Sequence, residues 1–388
     1  MRLVIATPFL ETKGGMERVV LKIAQQFKAK IHCYSYDPDH TFPEFRALDI
    51  ETAKPGNISK LPLGKRLTTA IEAGNHFYNV KLKDYDLINA HQTPSEWIRN
   101  KNSPVLWYCF SPNREAFDLY NWRMKRRSIP SKAVFWASIQ AFKFFEYQTV
   151  PKMEYIFTSC KNPQARINKY LHRESEVLYP GVDYEKFSCK GYERFFYYPS
   201  RIVPEKELEY AIEAFKLFAN RQNPKPGAAQ GMRWSLVIVG SLSQRPEHIA
   251  YFKKLQSLCT KDITIETNVS DERLIDLYSR CYATLFTPVD EDYGLIPLES
   301  MASSKPCIGR NEGGLKETIQ DGRDGFLVNS IWEMAEKMEL ISRDEERCRT
   351  MGRAGRSKVE REFTWERFLT RFEEKAEQMV RQASERRR

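Results

Sequence analysis

Several features typical of other protein classes are missing from this 388-residue sequence. The eight cysteines never form a Cys-x2-Cys pair, which argues against a zinc site and for reduced, buried thiols. No apolar run approaches the roughly 20 residues that a membrane-spanning helix needs. The N-terminus reads as a short strand, Leu3–Ala6, that ends in a turn, and not as a cleaved signal peptide. We therefore expect a cytoplasmic protein.

The composition that is present indicates a globular protein with anionic partners. Hydrophobic residues make up 41% of the chain, and its length suits two domains of about 150 to 200 residues each. The formal net charge is +10. Such a charge favours nucleotides, an acidic membrane surface or nucleic acid as partners, and it says nothing about the fold.

One stretch has the composition of a ligand-binding loop. The apolar run Ala283–Phe286 reads as a buried strand, and residues 287–300 then pass through an acidic glycine turn into a helix. Open α/β sheets bind ligands at this end of a strand, and a helix N-terminus attracts anions. Glu291 and Glu299 lie eight residues apart and could read the hydroxyls on either side of a phosphate, as in a sugar nucleotide. Each acid alone is equally compatible with a solvated loop or an ordinary early-helix glutamate.

The same strand, loop and helix pattern recurs along the chain. Leu3–Ala6 precedes the Gly14-Gly15 loop and an amphipathic helix, and another apolar strand ends at His91. Paired glycines let the backbone approach a ligand, although they also serve in tight connections, and a histidine at a strand end is often structural. The alternation of these units in both halves predicts two doubly wound parallel sheets.

A pair of cations follows a strand in the second half. Phe195–Pro199 reads as a strand that delivers Arg201 to its end, and Lys206 follows five residues later. An arginine and a lysine across such a turn can clamp a diphosphate, the arginine in a bidentate manner and the lysine as a point charge. A merely charged turn would contain the same residues.

Together these motifs resemble those of retaining family 4 glycosyltransferases of the GT-B fold, in particular mannosyltransferase-like members. The Glu-x7-Glu motif of that family matches Glu291 and Glu299. Its Gly-Arg-x4-Lys motif matches Arg201 and Lys206, with Ser200 in place of the glycine.

The resemblance extends into the N-terminal half. The family has a similar glycine pair in its first loop and a histidine string at the position of His91, where Asn89 replaces the first histidine. Some members have a Tyr-Cys-His-Ser-Pro-x-Arg string that is similar to residues 108–114, with Phe110 in place of its histidine.

The resemblance implies a GT-B architecture, in which two Rossmann-like domains face a central cleft. The N-terminal domain, residues 1–183, would bind the acceptor and would be joined by a C-terminal helix, residues 365–388, that crosses back to it. Residues 184–364 would bind the nucleotide sugar.

The resemblance also implies site residues. Arg201 and Lys206 would neutralise the departing diphosphate, Glu291 would bind the transferred sugar, and His91 would contact the sugar or the charge that develops on it. The implied donor-binding residues are Gly14, Gly15, Gly240, Val269, Asp292, Tyr293, Gly294, Leu295 and Glu299, with Glu299 on the ribose. The implied acceptor-binding residues are Glu17 and Arg114.

The implied reaction is transfer of a hexose, with mannose favoured, from a GDP- or UDP-linked donor to a glycan or lipid-linked acceptor. The anomeric configuration would be retained, and neither a metal nor a cofactor would be needed. Two alternatives stay open: another GT-B enzyme, such as an epimerase or a phosphorylase, and a catalytically silent nucleotide- or glycan-binding protein. A basic RNA-binding protein is disfavoured because no nucleic-acid motif is recognised.

Residues 113–127 mix aromatic side chains with cations. Such a segment can lie on an anionic membrane interface, which would place the protein at the inner face of a membrane and near a lipid-linked acceptor. A solvated helix packed through its aromatic stripe is the alternative interpretation.

Overall fold

The computed structural model describes residues 1–53, 65–222 and 233–386. They form two compact units, Met1–Pro180 with Glu366–Arg388, and Gly181–Trp365. The first boundary lies three residues before the predicted one at 183, because Gly181 and Val182 pack within the second unit. Val182 N donates to Phe363 O at 2.9 Å, and a Cβ on Gly181 would lie 2.4 Å from Trp365 N.

Unit 1 is built on a parallel sheet of seven strands in the order β3-β2-β1-β4-β5-β6-β7. The strand order reverses between β1 and β4, which pair directly: β2 and β3 are added on one side of β1, and β4 to β7 on the other. Ligands bind outside the carboxyl ends of strands at such a switch point. The strands are β1 (Leu3–Leu10), β2 (Lys30–Tyr36), β3 (Ile50–Thr52), β4 (Leu87–His91), β5 (Val105–Cys109), β6 (Tyr155–Thr158) and β7 (Glu176–Val177).

Helices cover both faces of this sheet, as the near-continuous apolar strands require. The core includes Trp107, Ile156 and Phe77. The helices are α1 (Gly15–Phe27), α2 (Lys65–Asn79), α3 (Tyr120–Lys125), α4 (Ile129–Thr149) and α5 (Lys161–Arg166), the last continued by a π turn over Ile167–Leu171.

Unit 2 repeats the arrangement with six parallel strands in the order β10-β9-β8-β11-β12-β13, so its switch point lies between β8 and β11. Its core contains the aromatic cluster of Phe196, Phe218, Trp234 and Tyr282. The strands are β8 (Phe195–Pro199), β9 (Ser235–Gly240), β10 (Ile263–Thr267), β11 (Ala283–Phe286), β12 (Cys307–Arg310) and β13 (Gly325–Val328). The helices are α6 (Leu208–Gln222), α7 (Pro246–Leu258), α8 (Asp271–Arg280), α9 (Leu295–Ala302), α10 (Leu315–Thr318), α11 (Ile331–Ser342) and α12 (Glu345–Glu362).

The C-terminal helix α13 (Trp365–Glu385) packs, from Glu366 onward, on unit 1. It buries Phe368, Phe372, Ala376 and Met379 along one stripe. The Phe372 ring lies 5.6 Å from that of Phe27, and Arg371 pairs with Glu176 at 2.8 Å. The predicted return of this helix to the N-terminal domain is therefore confirmed.

One local prediction was wrong. Strand β1 does not end at Ala6: beyond Pro8 it resumes its pairing with β2, through Phe9 with Ser35 and Leu10 with Tyr36. The segment after His91 is a short 3-10 helix, Ser95–Asn100.

Six of the eight cysteines are buried, whereas Cys259 is half-buried and Cys189 is exposed. Among the described helices, none combines the length and the apolar character needed to cross a bilayer.

Candidate active site

The loop after β11 and the helix α9 that follows it contain five of the nine predicted donor-binding residues. Gly294 precedes α9 with φ 79°, a left-handed conformation that favours glycine. Tyr293 and Gly294 are buried, whereas Glu291 and Asp292 are half-buried. Because α9 begins at Leu295, Glu299 is its fifth residue and lies just past the first turn.

A second glycine pair fixes the shape of this loop. Gly314 N donates to Glu291 O at 2.8 Å, and a Cβ on Gly314 would lie 2.4 Å from Asp292 O. A Cβ on Gly313, which has φ 60°, would lie 2.4 Å from Glu291 O. Only glycines let the two segments pack so closely.

The switch point brings a candidate catalytic pair together. Lys206 Nζ donates to Glu291 Oε2 at 2.6 Å, and the side chains are only 12% and 25% exposed. The ammonium also lies 5.5 Å from the centre of the Phe286 ring. Lys206 follows β8 and Glu291 follows β11, and these strands pair in the sheet. A lysine is thus held beside a carboxylate at the end of the sheet where ligands bind.

Arg201 follows the same strand as Lys206, and its side chain is exposed. Within the part of the chain that the structure describes, its guanidinium makes no hydrogen bond or ion pair. It is therefore available to an anionic ligand, as a diphosphate clamp requires.

Glu299 is held by a tyrosine that the sequence did not single out. Tyr278 Oη, on α8, donates to Glu299 Oε2 at 2.9 Å. Burial, together with the charge of Glu299, raises the pKa of the Tyr278 phenol well above its usual range, so the hydroxyl stays a donor. A tyrosine inside an amphipathic helix gives no signal of this contact in the sequence.

The two other donor-binding candidates of unit 2 lie at the carboxyl ends of the neighbouring strands β9 and β10. A Cβ on Gly240 would lie 1.9 Å from Ser200 O, so a glycine is required for packing whether or not it contacts a ligand. Val269 is half-buried and directly precedes Ser270, the N-cap of α8. Their donor-binding roles stay predictions.

In unit 1 the glycine loop meets the end of β4. Gly14 is the N-cap residue of α1, and Glu17 is buried in the first turn of that helix. Glu17 Oε1 accepts from Thr12 Oγ1 at 3.1 Å and from Gln92 Nε2 at 3.4 Å. Glu17 therefore links the two loops that follow the paired strands β1 and β4.

His91 is fully buried, and its Nε2 lies 2.5 Å from Asn89 Oδ1. The ring stacks on Tyr108, with 5.6 Å between ring centroids. Burial lowers the pKa of His91 to about 3, so the imidazole is neutral at physiological pH. Among the described residues its Nδ1 has no hydrogen-bond partner. The contact between His91 and a sugar stays a prediction.

Arg114 takes part in an ion-pair cluster. Its Nε donates to Asp118 Oδ2 at 2.9 Å, and Arg166 Nε lies 3.6 Å from the same oxygen. Its acceptor-binding role also stays a prediction.

The described residues contain no group of three His, Cys, Asp or Glu side chains placed to hold a metal ion. The sequence does contain Asp-x-Asp strings, at 37–39, 84–86 and 290–292, and the last of these includes Glu291. Metal independence therefore stays a prediction.

Comparisons with known proteins place this site in a family. Residues 184–358 match the profile of the family described as "Glycosyl transferases group 1". This match supports a glycosyltransferase role for the chain, which has the GT-B fold. The chain is 26% identical over 393 residues to the human "Alpha-1,3/1,6-mannosyltransferase ALG2", covering 92% of this chain and 91% of the relative.

Solved structures share the fold of this chain. The "Sucrose-phosphate synthase" of Thermosynechococcus elongatus superposes with a TM-score of 0.74 at 18% identity, covering 97% of this chain and 99% of the other. Anabaena Alr3699/HepE in complex with UDP-glucose gives a TM-score of 0.72 at 16% identity, covering 97% and 100%.

Proposed function

We propose that this glycosyltransferase transfers mannose from a nucleoside diphosphate sugar to a lipid-linked glycan, with retention of configuration and without a metal ion. The likeness to α-1,3/1,6-mannosyltransferases over 92% of the chain supports the choice of sugar. The pairing of Lys206 with Glu291 is the observation that carries the chemistry.

In the proposed reaction the acceptor hydroxyl attacks the anomeric carbon on the face from which the diphosphate leaves. The new bond joins the acceptor oxygen to this carbon, the bond to the diphosphate oxygen breaks, and that oxygen takes the hydroxyl proton. Arg201 and Lys206 neutralise the negative charge that develops on the diphosphate. Glu291 binds the sugar hydroxyls, and because it also contacts Lys206 it couples sugar position to leaving-group stabilisation.

Glu299 binds the ribose diol in this proposal. A carboxylate accepts two hydroxyl hydrogen bonds, and the Tyr278 hydroxyl fixes its direction from the protein side. We expect Glu299→Ala to weaken donor binding more than it slows turnover.

A lipid-linked acceptor requires access to a membrane, and we place the enzyme peripherally on the inner face. Residues 113–127 supply the cations for an anionic surface. Arg126 lies 3.7 Å and Arg123 5.0 Å from the Trp122 ring centre. Aromatic rings and cations mixed in this way are typical of membrane interfaces.

The function is tested with a panel of GDP- and UDP-sugars and a mannosylated lipid diphosphate acceptor. We expect a mannose donor to be consumed only when the acceptor is present, to give an α-linked product, and to react as fast in EDTA. Consumption that depends on phosphate would identify a phosphorylase, and conversion without acceptor would identify an epimerase.

The roles of Lys206 and Glu291 are tested by replacing each with alanine. We expect kcat/KM to fall by about 100-fold or more, because each group acts on charge or geometry in the transition state. Lys216→Ala is the control, since Lys216 pairs with Glu213 at 2.8 Å on α6 of the same unit. Undiminished turnover in the Lys206 and Glu291 variants would contradict these roles.

A further inference from the structure

Helix α4 is apolar on the side that packs against the rest of unit 1. Phe135, Ile139 and Thr149 are buried along its inner face. Glu146 is also buried there and accepts a hydrogen bond from Trp97 Nε1 at 2.9 Å. These contacts attach the helix to the unit and leave its opposite face uncovered.

The opposite face is apolar as well. Ile129 is 83% exposed, Phe144 59% and Trp136 54%, and Val134 and Tyr147 are about half exposed. Between Ile129 and Thr149 every exposed position is uncharged, and the charged side chains Lys132, Lys143 and Glu146 are half-buried or buried. A helix that is apolar all round is normally covered on every side. This one is covered on only one side by the described residues.

The surroundings of this face are strongly cationic. From Leu119 to Met153 the chain has a single acidic residue, the buried Glu146, against seven cations: Arg123, Lys125, Arg126, Arg127, Lys132, Lys143 and Lys152. Arg127 lies 4.0 Å from the centre of the buried Phe135 ring, so the basic segment that follows α3 meets the N-terminal part of α4.

We propose that the outer face of α4 is a membrane-docking surface that inserts Ile129, Trp136 and Phe144 into the interface of an anionic bilayer. The neighbouring cations contact lipid phosphates. This inference rests on the proposed function in one respect, since a lipid-linked acceptor gives the enzyme a reason to dock. The inference extends the membrane contact proposed above: residues 113–127 supply cations, and α4 supplies the apolar side chains.

The charge pattern favours a bilayer over a second copy of the chain. In a twofold-symmetric dimer the same patch would face itself. Residues 119–153 offer no exposed carboxylate to pair with the cations of a partner copy, whereas an anionic membrane supplies the complementary charge. The helix of 21 residues is about 30 Å long and can lie flat in the interface along its whole length.

The test measures co-flotation of the full chain with vesicles, in the absence of donor and acceptor. Vesicles of phosphatidylcholine alone are compared with vesicles that contain phosphatidylglycerol. We expect binding to the anionic vesicles, and at least a tenfold loss of partitioning in the double variant Trp136→Ser, Phe144→Ser. Ile129→Ser removes the most exposed apolar residue and should weaken binding without disturbing the packed face.

The matched control is Trp332→Ser with Leu340→Ser on α11 of unit 2, two exposed apolar residues outside this face. It should partition like the wild type. Unchanged vesicle binding in the α4 variants would overturn the proposal. It would also be overturned if the wild type were an oligomer and the α4 variants were monomers that still bind vesicles, because the face would then be a contact between copies of the chain. Because the flotation test measures no turnover, its outcome does not depend on whether the enzyme transfers mannose. We expect the α4 variants to keep wild-type activity on a water-soluble acceptor.

Discussion

A single tyrosine hydroxyl ties together the two turns that carry the candidate catalytic pair. Tyr198 Oη, near the end of β8, donates to Lys206 O at 2.8 Å and accepts from Thr287 N at 3.0 Å. Thr287 Oγ1 donates to Glu207 O at 2.9 Å. The carbonyl groups of Lys206 and Glu207 are therefore fixed to the start of the loop that contains Glu291.

We predict that Tyr198→Phe lowers kcat about tenfold and changes the donor KM less. Loss of the hydroxyl leaves Thr287 N without its partner and removes the shorter of the two hydrogen bonds to Lys206 O, the other being from Thr287 Oγ1 at 3.3 Å. The turn that carries Lys206 is then held less firmly. Tyr197→Phe is the control, because among the described residues the hydroxyl of Tyr197 has no hydrogen-bond partner. Steady-state kinetics of both variants, together with their melting temperatures, check the prediction. Equal kcat values, with a lower melting temperature for Tyr198→Phe alone, would reduce Tyr198 to a purely structural role.

The sequence revealed the residues at strand ends better than those that support them. Lys206 and Glu291 could be placed together because each follows a strand of the same predicted sheet. Tyr198 and Tyr278 could not be found, because a tyrosine in a buried strand or helix has the pattern of a core residue. The burial of His91 could not be predicted either. A histidine at a strand end is compatible with exposure, and nothing in the sequence shows that Asn89, two residues earlier on the same strand, is its hydrogen-bond partner.

At the scale of elements, α4 and the 3-10 helix Ser95–Asn100 meet through two buried carboxyl groups. Burial, and the neighbouring carboxyl of Glu146, raise the pKa of Glu96 well above its usual range. Burial likewise raises the pKa of Glu146 to about 7. Both groups therefore bind protons more tightly in the folded protein than in the unfolded chain.

We predict that Glu146→Gln stabilises the protein more at pH 8 than at pH 5. Between the ordinary carboxyl pKa near 4.5 and the raised values, the folded state binds more protons than the unfolded state, so stability falls as the pH rises. The glutamine keeps an oxygen acceptor for Trp97 and removes the charge. Thermal unfolding of the wild type and the variant at both pH values checks this. For a domain of this size, each kcal/mol of stability shifts the melting temperature by roughly 2–4 °C. An equal shift of the melting temperature at pH 5 and pH 8 would contradict it.

The order of elements was more predictable than their ends or their uncovered faces. Apolar strands separated by glycine turns and amphipathic helices indicated both doubly wound sheets. The continuation of β1 beyond Pro8 depends on pairing with β2, which no local pattern in β1 shows. The uncovered side of α4 could not be distinguished from its packed side, because both are apolar in sequence.

At the scale of the whole molecule, the two units share one topology and differ in what lies at the switch point. In unit 2 the strand ends carry Arg201, Lys206 and a glycine-shaped acidic loop. In unit 1 they carry Glu17, Gln92 and the buried, neutral His91. Cations beside carboxylates suit a nucleoside diphosphate sugar, which has phosphates and hydroxyls to bind. The charges of unit 2 therefore support the prediction that residues 184–364 bind the donor.

This difference predicts where a nucleotide protects the backbone. With saturating GDP or UDP, hydrogen–deuterium exchange should slow in unit 2 after β8, β9 and β11, because a ligand at 100 times its Kd stabilises the bound state by about 2.7 kcal/mol. Glu299→Ala should reduce this protection at a fixed nucleotide concentration. Added protection at Gly14-Gly15 would support the donor-binding role implied for that loop. Protection confined to unit 1 would contradict the assignment, because the cations proposed to receive the diphosphate, Arg201 and Lys206, lie in unit 2.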